Sequence, residues 1–129
     1  MAKTRDEIKE LLSTDLFKNG IANNYITVNN DGSYITYHCK NHTRRKLCNL
    51  EEFVQATAYL KLIFDYNYSP LNIFVNENVQ VGSSTKEADI LVYNEKNSKI
   101  LIVVECKEEQ ISERQFQVAV DQAYHWRIV

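Results

Sequence analysis

Glycine and proline are scarce, with Gly 3 and Pro 1 in 129 residues. A chain so poor in backbone breakers, and 44% hydrophobic, is not a linker or a disordered tail and reads as one compact domain. No apolar run approaches the length of a membrane span, and the start Met1, Ala2, Lys3, Thr4, Arg5, Asp6 lacks the apolar core of a secretory signal. A cytoplasmic location with no membrane partner is therefore expected. Cys39, Cys48 and Cys106 are odd in number and widely spaced, which argues against a disulfide frame or a zinc site and for reduced thiols, with Cys106 a packing residue. His38, His42 and His125 have no ligand spacing. Positive charge is not in excess, since Lys+Arg 15 against Asp+Glu 17 gives a net charge of -2. Strong free-standing DNA binding needs clustered Lys and Arg, so the charge balance argues against it, and any affinity for DNA would have to come from other domains or subunits. The phosphate loop G-x-x-x-x-G-K-S/T is absent, so the chain carries no ATP motor of that type.

What is present concentrates between Glu87 and Lys107. Asp89 opens the apolar run Ile90, Leu91, Val92, Tyr93, and Glu105, Cys106, Lys107 close the run Ile100, Leu101, Ile102, Val103, Val104. A run with no polar residue reads as a strand covered on both faces. Side chains alternate across a strand, so Glu105 and Lys107 share one face and Cys106 takes the other. Two carboxylates about 4 Å apart repel by roughly 4 kcal/mol at an effective dielectric near 20, and each also resists leaving water. Lys107 can neutralise one charge. Two carboxylates with backbone carbonyl oxygens also form the hard oxygen set that Mg²⁺ or Mn²⁺ prefers. A water held there beside an ammonium group is placed to attack a phosphodiester. The competing reading is a pair of solvated strand ends, which the turn-like residues 94–98 and the apolar runs around both acids disfavour.

Elsewhere, Ile8, Leu11, Leu12 and Leu16 have helical spacing over residues 6–17, with Gly20 as a stop signal. Residues 25–28 and 33–37 are β-prone around Asn29, Asn30, Asp31, Gly32, a hairpin signal. Residues 38–46 read as a polar connection whose Lys40, Arg44, Arg45 and Lys46 either touch phosphate or are merely solvated. A helix then opens at Asn49 with Phe53, Ala56, Leu60 and Phe64 on one face. Glu52 at its third position either folds back to cap the helix or points to the acidic centre. In the strand 71–81, Ile73, Val75, Val79 and Val81 alternate, and Glu77 among them is either rotated out by a bulge or set at the rim of the centre. Residues 112–115 resemble a second capping box, starting a helix with Phe116, Ala119, Val120 and Ala123 inward and Gln122 at the stripe's border, where Trp126 could brace it.

Asp89 followed by Glu105, Cys106, Lys107 resembles the D…(D/E)-x-K signature of the PD-(D/E)XK nuclease superfamily. More specifically, residues 44–129 resemble the N-terminal nuclease domain of type I restriction enzyme R subunits. The likeness lies in Glu52 early in a helix, Glu77 on a strand, Asp89, the Val104, Glu105, Cys106, Lys107 strand, and Gln122 to Trp126 on a last helix. Ala88 stands where the superfamily name has proline, Gln55 where relatives often carry Arg, and Trp126 where they carry tyrosine.

That resemblance implies an α/β fold with a restriction-endonuclease-like αβββα core. Its fourth strand is barely begun at Ile128 and Val129, so a fragment of a larger protein is expected. Residues 1–43 would be an added N-terminal helix and hairpin, and residues 44–129 the core. The implied activity is Mg²⁺-dependent DNA cleavage, with Mn²⁺ as a substitute, in a complex with other restriction-modification subunits. Asp89 and Glu105 would hold the ion with the Cys106 carbonyl and, as further candidates, Glu52 and Glu77. Lys107 and Gln122 would handle the water. Two rivals stay open: a nuclease-fold binding or assembly module without cleavage, and a nuclease acting on RNA or branched DNA.

Overall fold

The computed structural model describes residues 10, 12–47 and 50–106. Helix α1 spans Asp15–Ala22, with Thr14 in extended geometry before it and Asp15 in the first turn, where the helix dipole favours a carboxylate. The helix expected over residues 6–17 is interrupted at Ser13 and Thr14, so only its last residues belong to α1, and Gly20 does not end α1 but lies inside it, buried. The stop comes three residues later, where the Asn23 side chain donates to the Asn19 carbonyl at 2.8 Å and Asn24 takes φ 61. A glycine is needed at position 20 for space, because a Cβ there would stand 2.7 Å from Leu60 Cδ2. Leu60 is fully buried, so Gly20→Val should lower unfolding free energy by about 2 kcal/mol, read as an earlier urea midpoint. An unchanged midpoint would show that the two helices do not meet there.

Strands β1 (Ile26–Val28), β2 (Tyr34–Tyr37) and β3 (Thr43–Lys46) form an antiparallel sheet in the order β1-β2-β3. The expected hairpin is present. Its turn is held by Asn29 Oδ1, which accepts from the Tyr34 N–H at 2.9 Å, and by Gly32 at φ 74. The expected polar connection after it is different: residues 43–46 are a third strand pairing with β2. Hydrophobic alternation could not reveal it, because an edge strand is joined by backbone hydrogen bonds and tolerates a row of charged side chains.

Helix α2 (Leu50–Phe64) runs through the centre of the molecule. One buried face was expected, yet Glu52, Phe53, Val54, Gln55, Ala56, Thr57, Ala58, Tyr59, Leu60, Leu62 and Ile63 are all buried. A helix apolar almost all round is a core helix covered on several sides. Phe17 of α1 meets Phe53 edge-on at 6.2 Å, and Tyr37 of β2 meets Tyr59 at 5.0 Å. Phe64 is only partly buried, against Tyr25.

After a single 3₁₀ turn at Pro70–Asn72, strands β4 (Ile73–Val81), β5 (Ser84–Tyr93) and β6 (Ile100–Val104) make a second antiparallel sheet with β5 in the middle. The β4–β5 turn is tight, with Gly82 at φ 61. Ile73, Val75, Ala88, Ile90, Val92, Ile102 and Val104 share one face by register and are buried. On the other face Leu91 is fully buried and Val103 half-buried.

The two sheets are joined beside β4. Asn41 accepts from the Val75 N–H at 3.0 Å and donates to the Val75 carbonyl at 2.7 Å, so one side chain imitates a neighbouring strand. The Thr43 hydroxyl donates to the same carbonyl at 3.2 Å, and the Lys40 N–H to the Ile73 carbonyl at 2.9 Å. This seam fixes the first sheet against the second. It also sets Tyr37 and Arg45 beside the start of α2, where both meet Glu52.

Candidate functional site

Asp89 lies on the central strand β5, and Glu105 follows the last residue of β6. The register pairs Ile90 with Val104, which carries Asp89 and Glu105 to opposed positions on neighbouring strands. Past the end of the ladder the strands stay clasped, because the Cys106 N–H donates to Asp89 Oδ2 at 2.5 Å. Oδ1 has no hydrogen-bond partner among the described residues. Cys106 itself is buried, and its burial pushes the thiol far above the usual range. It is a packing residue. Cys39 is likewise a buried free thiol.

Burial raises the Asp89 carboxyl above the ordinary aspartate range, the Cys106 N–H opposes that, and the nearby charges of Glu105 and Glu87 raise it further. Glu105 meets a cation that the sequence reading did not single out: Lys86 Nζ lies 2.7 Å from Glu105 Oε1. Among the described residues no group of three His, Cys, Asp or Glu side chains is drawn together tightly enough to hold an ion. What the fold presents is a carboxylate pair with the Cys106 backbone beside it. That donor set fits a hard divalent cation: both acids are oxygen donors, Asp89 is partly desolvated, and Glu105 raises its carboxyl further.

Glu52 is placed behind this pair. It is buried, and its Oε2 accepts from the Tyr37 hydroxyl at 2.6 Å and from Gln55 Nε2 at 3.2 Å. Arg45 Nε stands 3.5 Å from its Oε1. Burial raises the Glu52 carboxyl, while Tyr37 and Arg45 pull it down and Asp89 raises it again. The carboxylate thus reaches the first sheet, with Asp89 near enough to raise it, while the capping alternative turns on Asn49, outside the described residues. Gln55 continues the chain of contacts, donating to Asn76 Oδ1 at 2.9 Å, and Asn76 Nδ2 donates to Glu87 Oε1 at 3.1 Å.

Asn76 accounts for the odd charge in β4. The β4–β5 pairing runs past Glu77, which partners Ala88, without a shift of register. The irregularity is one residue earlier, at Asn76, with φ 53 in the middle of a strand. Asparagine tolerates that left-handed geometry better than most residues. By register Asn76, not Glu77, stands across from Asp89. No bulge rotates Glu77. It stays half-buried in the ladder.

Lys107, Gln122 and Trp126 lie outside the described residues, as do Cys48, the proposed cap Asn49, His125 and the last helix and strand expected from the sequence. Sequence reading missed Tyr37, Lys86 and Asn76, and noted Arg45, Gln55 and Glu87 without placing them. The one signal at hand was an asparagine flanked by apolar and acidic residues in a strand, at position 76.

The model of the type I restriction enzyme R protein N-terminus family matches residues 50–127, more than half of the 129-residue chain. The chain belongs to that family. Membership ties it to restriction systems and to nuclease-related function. No curated protein and no solved structure matches the chain. The family segment begins at α2 and takes in the whole second sheet, so Glu52, Asp89 and Glu105 fall within it. Tyr37 and Arg45 come from the first sheet, outside it. Among the described residues no helix is long and apolar enough to cross a membrane.

Proposed function

We propose that this member of the R protein family is the Mg²⁺-dependent DNA-cleaving domain of a type I restriction subunit, with a PD-(D/E)XK-type core. The observation that carries the reading is the clasp between the Cys106 N–H and Asp89, which holds two acids opposed where the β5–β6 ladder ends. Helix α2 followed by three antiparallel strands supplies the described part of such a core. Asp89, Glu105 and the Cys106 carbonyl would hold the ion, which when bound supplies a water activated for attack and charge to offset the phosphate. Glu52 is a further ligand candidate, because Asp89 stands near enough to raise its carboxyl, whereas Glu77 pairs away from Asp89. Lys107, two residues beyond Glu105, would orient the attacking water, and Gln122 would help position it. DNA and other restriction subunits would be the partners, in the cytoplasm.

The Lys86 ion pair gives a second reading some footing. A cation seated on Glu105 can replace a metal and leave a binding or assembly module without cleavage. Titration with Mn²⁺ in a calorimeter separates the two. Weak binding by the wild-type chain and loss of most of it in Asp89→Asn supports the nuclease reading. Equal binding by both proteins would place the ion elsewhere, and no binding with DNA and Mn²⁺ both present would favour the module. Mg²⁺-dependent nicking of supercoiled DNA by the full-length protein, compared with RNA and branched DNA, then identifies the substrate.

A further inference from the structure

The first sheet, outside the family segment, aims a cation at the centre. Along β3 side chains alternate: Arg45 pairs in register with Ile35 and Thr43 with Tyr37, while Arg44 and Lys46 pair with Thr36 and Tyr34. Ile35 and Tyr37 are fully buried, so Arg45 is on the inner side of an edge strand. Arg44 is on the outer side, with its guanidinium 4.1 Å from the centre of the Tyr34 ring. An arginine turned inward from an edge is costly unless something meets its charge, and here Glu52 does.

The contact is one-sided. Arg45 touches Glu52 through Nε, and its side chain remains 43% exposed where that of Glu52 is 7% exposed. The guanidinium therefore lies between a buried carboxylate and solvent, with one edge held. A guanidinium carries five donors in a rigid planar fork, so an arginine drawn to Glu52 through Nε keeps its terminal amino groups for a second partner. They meet no other side chain among the described residues. Two neighbours already fix the other oxygen of Glu52, namely Tyr37 and Gln55, so Glu52 does not depend on Arg45 alone for its hydrogen bonds.

We propose that Arg45 grips a DNA backbone phosphate at the Asp89–Glu105 centre, with Glu52 holding its guanidinium in place. This rests on the nuclease reading for the location of the reaction, but not for the contact itself. Glu52, Glu87, Asp89 and Glu105 make the surroundings acidic, and a phosphate arriving there is repelled unless a cation receives it. Lys86 is a point charge already seated on Glu105 at 2.7 Å. Arg45 has the geometry for phosphate and lies close enough to Asp89 to favour its charged form. Arg44 and Lys46 carry the positive charge onward along the outer side of the same strand.

The test uses the full-length protein and duplex DNA in two measurements. Binding is followed over a salt series with a chelator present, and single-turnover cleavage is followed with Mg²⁺. Arg45→Ala should reduce the slope of log K against log salt by about one unit, the share of one phosphate contact. It should also slow cleavage at subsaturating DNA by about tenfold or more, a loss worth ~1.4 kcal/mol. Arg45→Lys should keep the slope and recover only part of the rate, since an ammonium retains the charge without the fork. A merely structural role for Arg45 would lower the melting temperature and leave the slope alone, and that result overturns the proposal. An unchanged slope in a protein that cuts DNA rejects the Arg45 contact and spares the nuclease reading. A reduced slope in a protein that does not cut rejects the nuclease reading and keeps the contact.

Discussion

Replacing Lys107 with alanine should abolish strand scission by the full-length protein while leaving its DNA binding and any ATP hydrolysis largely intact. The expected loss is on the order of 10² to 10⁴ in rate, the range for removing a group that positions or polarises a reacting water. Side-chain alternation gives the direction: Glu105 and Lys107 are two residues apart, so an extended chain sends both to one side, and Cys106 between them is buried. The ammonium would then sit beside the carboxylate pair and steer the nucleophile. Nothing in that role contributes to holding the duplex, so binding and scission should separate in the variant. Nicking of supercoiled DNA, DNA binding and ATP turnover measured together decide the matter. Cleavage at the wild-type rate removes Lys107 from the reaction, and joint loss of all three activities would show damage to the fold or the assembly.

The contrast between Asp89 and Arg45 shows what a sequence discloses. Asp89 and Glu105 were legible because each borders a run of apolar residues, where a charge is out of pattern, and antiparallel pairing of two adjacent strands brings such positions together without further information. Cys106 followed from alternation alone. Arg45 was not legible as a site residue because residues 43–46 are uniformly polar and the strand they form is specified by pairing to β2, a relation between distant residues. The same holds for helix α2, whose apolar stripe at Phe53, Ala56 and Leu60 suggested one buried face. Its burial on nearly all sides comes from being enclosed by α1 and two sheets, which no local period records. Gly20 was misread for a related reason. Its lack of a side chain serves a close approach to Leu60 rather than a turn, and only the partner residue distinguishes the two uses. Glu52 was the intermediate case: its helix position allowed either a cap or the centre, and its buried contact with Tyr37, fifteen positions back in the chain and on another element, is a relation no local pattern records.

Among the buried polar side chains, Glu52 should be the one whose loss most disturbs the folded chain. In Glu52→Ala the buried Tyr37 hydroxyl loses its 2.6 Å acceptor, Gln55 loses one of two partners, and Arg45 loses its counter-ion. A buried donor left without an acceptor costs about 1–3 kcal/mol, and with the broken ion pair a fall of roughly 2–4 kcal/mol in unfolding free energy is expected. Glu52→Gln keeps an oxygen for Tyr37 and removes the buried charge, so its stability at neutral pH should stay within about 1 kcal/mol of wild type. The two variants also differ from wild type in pH dependence. Burial raises the Glu52 carboxyl in the folded chain above its unfolded value, so the folded state binds its proton more tightly. Its contribution to stability is then greatest at low pH, where the group is protonated in both states. It declines as pH rises from the ordinary glutamate range through the raised folded value, and is flat above that. Glu52→Gln should remove this share of the decline and leave the share that Asp89, raised in the same direction, contributes. Urea unfolding across a pH series resolves both points. A glutamine variant with the full wild-type slope would mean that the Glu52 carboxyl is not raised, and an alanine variant as stable as the glutamine one would mean that the Tyr37 contact stabilises nothing.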